Sequence, residues 1–406
     1  MKSDIAVPRA RRRIRSVMLL GVALAATSAL VSCSSSGGSN PPNTGTASAG
    51  GAGSGAAPVD NAAAVTAAKA FVSKWSARPT ELTVPSLPSK PERGKTVDYI
   101  QCGAASCEAF GDDLKSAAAA VGWNIKVLDA GFTPQTQAAA YTQAVRDNPA
   151  GVIGTGGVDP HPFARQIAQL KAKGIPVILH GITEAQRVPG VTAVGAGSSA
   201  PYFNFDGVLL GNAILADAGG RDVHIAYMGT PAITSYNATR DGIKSVLERS
   251  GACKNCSSAE FSFPVTDIGP NLPSKIVSYL RSHPEVNYVD LDFLDLTSGV
   301  PAALTRAGLA SKVKIVTNGV SPVQIEYLKN DQLLAASVNP WPETMYYDMT
   351  VVLAASMKAD LKPYIAAKLP SMLLTKSSLF PVSANTQFFP LVADYKDIYA
   401  KAWKIG

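Results

Sequence analysis

Histidine is scarce in this 406-residue chain: His161, His180, His224 and His283 lie far apart, and none stands at metal-ligand spacing beside a cysteine pair. No metal or other cofactor is therefore expected. The chain also lacks a GxSxG elbow, an HExxH pair and a GxxxxGK[ST] loop, the signatures of α/β hydrolases, zinc proteases and P-loop NTPases. Past the first forty residues no apolar run reaches bilayer-spanning length, 349–357 being among the longest. The basic excess is mostly local as well. Of the formal charge of +7, residues 1–32 contribute five through six Lys/Arg against one acid, leaving +2. A nucleic-acid partner is not supported.

What is present begins with an export leader. Lys2, Arg9, Arg11, Arg12, Arg13 and Arg15 precede an apolar run from Val17 to Val31, too short to span a bilayer comfortably. The run closes in LVSC (30–33), which resembles a bacterial lipobox whose cysteine, Cys33, carries a diacylglycerol and begins the mature chain. Two or more acyl chains make a stable membrane anchor. Residues 33–60 are then the lipidated cysteine and a tether of Gly, Ser, Ala, Pro, Thr and Asn, a composition that cannot bury a core. A helix over 62–76 with Val65, Ala68, Phe71, Val72 and Trp75 on one stripe leads into a Pro-rich connector, so 61–94 precede the main body.

Besides Cys33 the cysteines form two close pairs, Cys102/Cys107 and Cys253/Cys256. Outside the cytosol such pairs are disulfides more often than zinc ligands. Redox and metal readings stay open for Cys253-x-x-Cys256, although it follows a helix end rather than opening a helix.

From residue 95 short Val/Ile runs alternate with helical stretches of about a dozen residues, and the pattern restarts near 212. Such alternation predicts an α/β fold of two similar lobes, each a parallel sheet flanked by helices, with a cleft at the strand ends. Five strings carry a more specific resemblance: KAKGIPVI (171–178), NATRDG (237–242), VTNG (316–319), LPSMLLTK (369–376) and the Tyr395…Trp403 closing helix. In this order and spacing the chain resembles the type 1 periplasmic-binding-protein family, the ribose/galactose-like sugar-binding proteins of ABC importers. The resemblance implies a three-segment hinge, with lobe 1 at 95–196 plus 340–372 and lobe 2 at 197–339 plus 373–406. It also implies a monomeric, non-enzymatic, lipid-anchored solute-binding protein that holds a sugar or polyol for a membrane permease. A sensory binding protein signalling to a membrane receptor would look the same.

The same resemblance places candidate ligand contacts. Gln101, Ser106, Glu108 and Phe110 follow the first strand; Glu108 either accepts hydroxyl hydrogen bonds or complements the helix N-terminus. His180 stands where the family often has Asp-Arg, and is either a ligand partner or a neutral strand-end histidine. Asn237 and Arg240 open a helix, where Arg240 forks onto ligand hydroxyls or a carboxylate, or pairs with an acid of the chain. Asp292 or Asp295 faces the cleft after another strand. Asn318 replaces a common Asp and is the strongest single candidate. Asn339 and Trp341 lie at the second crossover, Trp341 as a stacking platform or as hinge packing. GAGSSA (195–200) fits GxGxxA, but Pro201 follows at once, and it is read as the first crossover.

Overall fold

The structure, a computed structural model, describes residues 61–406 except 232, 250, 251, 254 and 383–386. The leader, Cys33 and the tether lie outside the described residues. The described chain opens with α1 (Asn61–Trp75). A first sheet follows from β1 (Thr96–Gln101), β2 (Asn124–Asp129), β3 (Gly151–Gly154), β4 (Val177–Leu179) and β5 (Ala193–Val194), with α2 (Ala105–Ala120), α3 (Pro134–Asp147) and α4 (Ala164–Ala172) between them. All its pairings are parallel and its order is β2-β1-β3-β4-β5.

The chain then crosses over through 195–199 into α5 (Ala200–Ala218) and a second lobe. Its strands are β6 (His224–Gly229), β7 (Ser257–Ser262), β8 (Tyr288–Leu291), β9 (Lys314–Asn318) and β10 (Ala335–Val338). They alternate with α6 (Asn237–Leu247), α7 (Leu272–Ser282), α8 (Val300–Arg306) and α9 (Pro322–Lys329). A second crossover leads to α10 (Trp341–Ser356) and α11 (Lys362–Ile365), a third to β11 (Met372–Thr375), and α12 (Tyr395–Ala402) closes the chain. The second sheet runs β11-β10-β9-β8-β6-β7, with β11 antiparallel to β10 and every other pairing parallel. The expected two-lobed α/β fold is present.

Burial explains the strand chemistry. β3, β4 and β8 are buried along their whole length, as parallel strands covered on both faces must be. β2 and β7 lie at sheet edges, and none of their residues is fully buried. The helix α10 is buried over Trp341–Ala354, because it packs against α2 on one side and the C-terminal segment on another.

Two boundaries differ from the sequence reading. Residues 373–406 belong to the second lobe at β11, but α12 packs into the first-lobe core, where Tyr346 and Trp403 stack at 5.4 Å and Trp403 Nε1 donates to Thr350 Oγ1 at 2.8 Å. Tyr399 OH also donates to the Glu343 carbonyl at 2.8 Å. The segment 61–94 is not a detached preface either. Val65 and Ala68 of α1 pack on α5 of the second lobe, whereas Leu87 is buried in the first-lobe core and its N–H donates to the Ala402 carbonyl at 2.8 Å. Between them Arg78 donates to the carbonyls of Pro390 and Leu391, each at 2.9 Å.

Candidate ligand site between the lobes

The strand ends of the two sheets face each other around a cavity of about 70 Å³. Its first-lobe wall is the loop after β1 and the start of α2 (Ser106, Cys107, Phe110), Phe132, and the ends of β3 and β4 (Thr155, Gly156, Gly157, His180, Gly181). The second-lobe wall comes from Phe203, Ile233, Ser235, Tyr236, Phe293, Asp295 and Asn318. Ser198, Asn339 and Trp341 enter from the crossovers. Loops at the carboxyl ends of parallel strands form the natural crevice of such folds.

The lobes touch around this space. Thr234 Oγ1 of the second lobe donates to Gln186 Oε1 of the first at 2.8 Å. Gly157 and Gly181 carry φ of +66° and +67°, and a Cβ on Gly181 would stand 2.9 Å from the Gly157 Cα. Only glycine permits both the backbone conformation and that approach. A cavity of about 150 Å³ is known to admit benzene, and the space here is smaller.

Two buried networks hold the polar lining. Asp206 on α5 is fully buried, and its Oδ2 accepts from Asn318 Nδ2 at 2.8 Å and from Asn339 Nδ2 at 3.1 Å. Burial pushes the Asp206 carboxyl up to about 8, with the two amides opposing that shift. Each amide spends one of its two N–H donors on Asp206, which fixes its orientation and leaves one N–H and the carbonyl oxygen uncommitted to Asp206. The second network centres on His180: Nδ1 meets Ser198 Oγ at 2.8 Å, and Nε2 is bonded to Asp348 Oδ2. Burial raises the Asp348 carboxyl, and the His180 ring opposes the rise.

Among the described residues, four buried polar atoms of the lining have no hydrogen-bond partner: Ser235 Oγ, Asp295 Oδ2, Asn339 Oδ1 and Trp341 Nε1. Each carries a desolvation cost that a ligand would relieve. Aromatic rings supply the remaining wall. Phe110 lies 4.2 Å from Trp341 between centroids, Phe203 is 5.0 Å from Tyr236, and Tyr236 stacks on Phe293 at 5.4 Å.

Six of the residues singled out from sequence therefore line one cavity together with Asp295: Ser106, Phe110, His180, Asn318, Asn339 and Trp341. The other five do not. Glu108 is solvent-exposed in the first turn of α2, and Gln101 is half-buried beneath that helix, facing Gly111. Asn237 lies on a separate shallow surface with Thr183, Gln186 and Asp241. Arg240 is forked onto Asp292 through Nε and Nη2 at 3.0 and 2.9 Å, both side chains buried, so each satisfies the other instead of a ligand. Burial lifts Asp292 to about 6, with Arg240 pulling against it. Asp295 is thus the carboxylate of that run which lines the cavity. Sequence reasoning missed Phe132, Thr155, Ser198, Phe203, Ser235 and Tyr236 altogether. For Phe293 a signal existed, since it sits between the two acids already under suspicion. Both cysteine pairs form disulfides, and Cys102–Cys107 stiffens the rim. Among the described residues no group of His, Cys, Asp or Glu could hold a metal ion.

Two sheets of this topology, three crossovers and a cavity at their facing strand ends define a binding protein of the type 1 periplasmic class. The chain belongs to the periplasmic binding protein domain family, whose model matches residues 103–360. No curated protein matches it in sequence. Solved structures share the fold at low identity. GanP, a glucose-galactose binding protein from Geobacillus stearothermophilus, is 16% identical with a TM-score of 0.60, covering 72% of this chain and 100% of its own. An ABC transporter solute-binding protein from Bacillus halodurans with bound myo-inositol is 16% identical with a TM-score of 0.61, covering 76% and 98%. One from Mycobacterium smegmatis with bound glycerol is 17% identical with a TM-score of 0.60, covering 72% and 98%.

Proposed function

We propose that this protein is a lipid-anchored solute-binding protein, acylated at Cys33, that captures a small polar ligand for an ABC importer. A sugar or polyol is the ligand class, the protein works as a monomer without cofactor, and it carries out no chemistry. The observation that carries the reading is the interlobe cavity itself: aromatic walls for C–H faces, beside buried polar atoms that no protein group satisfies. The similar structures with myo-inositol and glycerol support the choice of ligand class. Ligand would bridge the lobes and stabilise their closed arrangement, the state presented to a permease.

Thermal unfolding against a panel of sugars and polyols tests this. A compound that binds only the native state raises the melting temperature by mass action, adding roughly 3 kcal/mol of stability at a hundredfold excess over Kd. Asn318→Ala should abolish the shift. Absence of any shift across the panel would remove the sugar and polyol assignment. The anchor has its own check: Cys33→Ala should move the protein from the membrane to the soluble fraction.

A further inference from the structure

The lining is unbalanced in charge and in hydrogen-bonding sense. Among the described residues no lysine or arginine lines the cavity, and the basic ring that does, His180, has both nitrogens engaged by Ser198 and Asp348. The nearby cation Arg240 is consumed by Asp292. Among the orphaned lining atoms two can only accept, Asp295 Oδ2 and Asn339 Oδ1, against one that can only donate, Trp341 Nε1. Asp206 orients the amides of Asn318 and Asn339 by taking one N–H from each, and among the described residues Asn339 Oδ1 is left buried without a donor. Asp295 contributes a carboxylate with no counter-ion, one of whose oxygens also lacks a partner. Around these acceptors stand Phe110, Phe132, Phe203, Tyr236, Phe293 and Trp341. Aromatic faces carry negative potential and attract desolvated cations.

Resting on the solute-binding reading above, we propose that the ligand is a hydroxylated compound bearing a protonated amine, with the ammonium group against Asp295 and its hydroxyls donating to the Asn318 and Asn339 carbonyls. A neutral polyol would leave the Asp295 carboxylate buried without a counter-charge. An ammonium supplies both that charge and up to three donors to a wall that offers acceptors. The direction of the Asp295 titration agrees, because burial raises its carboxyl while the Ser106 hydroxyl across the cleft provides only a partial offset.

The test is calorimetric titration of the purified protein at pH 7 with matched pairs: glucosamine against glucose, galactosamine against galactose, and 1-amino-1-deoxysorbitol against sorbitol. At least one amine should bind about tenfold or more tighter than its neutral partner, the difference between a charge-assisted and a neutral hydrogen bond. In Asp295→Asn that ratio should fall to about one, by loss of amine affinity. Equal or tighter binding of the neutral partners to the wild-type protein overturns this inference and leaves the solute-binding reading standing. Binding by no member of either set overturns both.

Discussion

Replacing Asp206 by asparagine should change how stability depends on pH more than it changes stability at any one pH. The wild-type carboxyl is fully buried and retains its proton to about pH 8 in the native state. In the unfolded chain it ionises near the ordinary carboxylate value of 3.8. Between those values the unfolded state has released a proton that the native state still holds, so native stability falls as pH rises. The fall amounts to roughly 1.4 kcal/mol per pH unit, hence about 3 kcal/mol from pH 5 to pH 7, and it levels off above pH 8. The substituted side chain is an amide that does not titrate and lacks this contribution, while it keeps an oxygen to accept from Asn318 and Asn339. Urea unfolding of both proteins at pH 5, 6, 7 and 8 measures the effect. The stability of the wild type relative to Asp206→Asn should drop by about 3 kcal/mol between pH 5 and 7. Parallel pH profiles would mean that the two amide donors suffice to keep the carboxyl ionised, and the reasoning from burial would be refuted.

The buried fork between Arg240 and Asp292 makes a second case. Arg240→Ala should cost about 3–5 kcal/mol, because it strands a buried carboxylate, and pairing it with Asp292→Leu should recover most of that loss. The single variant should suffer more at pH 8 than at pH 5, since Asp292 without its arginine must be protonated to stay buried; urea midpoints at the two values decide it. For the rim disulfide, Cys102→Ser with Cys107→Ser should lower stability by about 2 kcal/mol and weaken ligand binding. The same change at Cys253 and Cys256, which lie outside the cavity lining, should leave affinity unchanged. Equal affinity losses at both pairs would deny the rim its role.

Much of this fold is legible because short Val/Ile-containing runs alternate with helical stretches. Thr96–Gln101, Asn124–Asp129 and Gly151–Gly154 stand where the hydrophobic pattern predicts them. Ala335–Val338 escapes that pattern: its AASV has too little bulk to look like a strand, yet it is buried between β9 and β11. Helical spacing alone starts α2 at 109 instead of Ala105, since the second cysteine suggests a longer loop before the helix. In the candidate site, residues at strand ends and crossovers are named through the family resemblance, as with Asn318 and Trp341. Arg240 cannot be excluded from sequence, because whether a guanidinium meets a ligand or an internal acid depends on burial far along the chain, at Asp292. Phe203 and Tyr236 are invisible for a related reason. Their rings meet each other and Phe293 only after the second lobe has folded.

The arrangement of α1 and its connector has a mechanical consequence. The chain packs on α5 of the second lobe first, through Val65 and Ala68, and meets the first-lobe core through Leu82, Val84 and Leu87. The segment 61–94 is thus a further covalent link between the lobes, beside the three crossovers. Between the Arg78 contact and Leu82 it spans only about 14 Å of contour, a short strap that would bound any separation of the lobes.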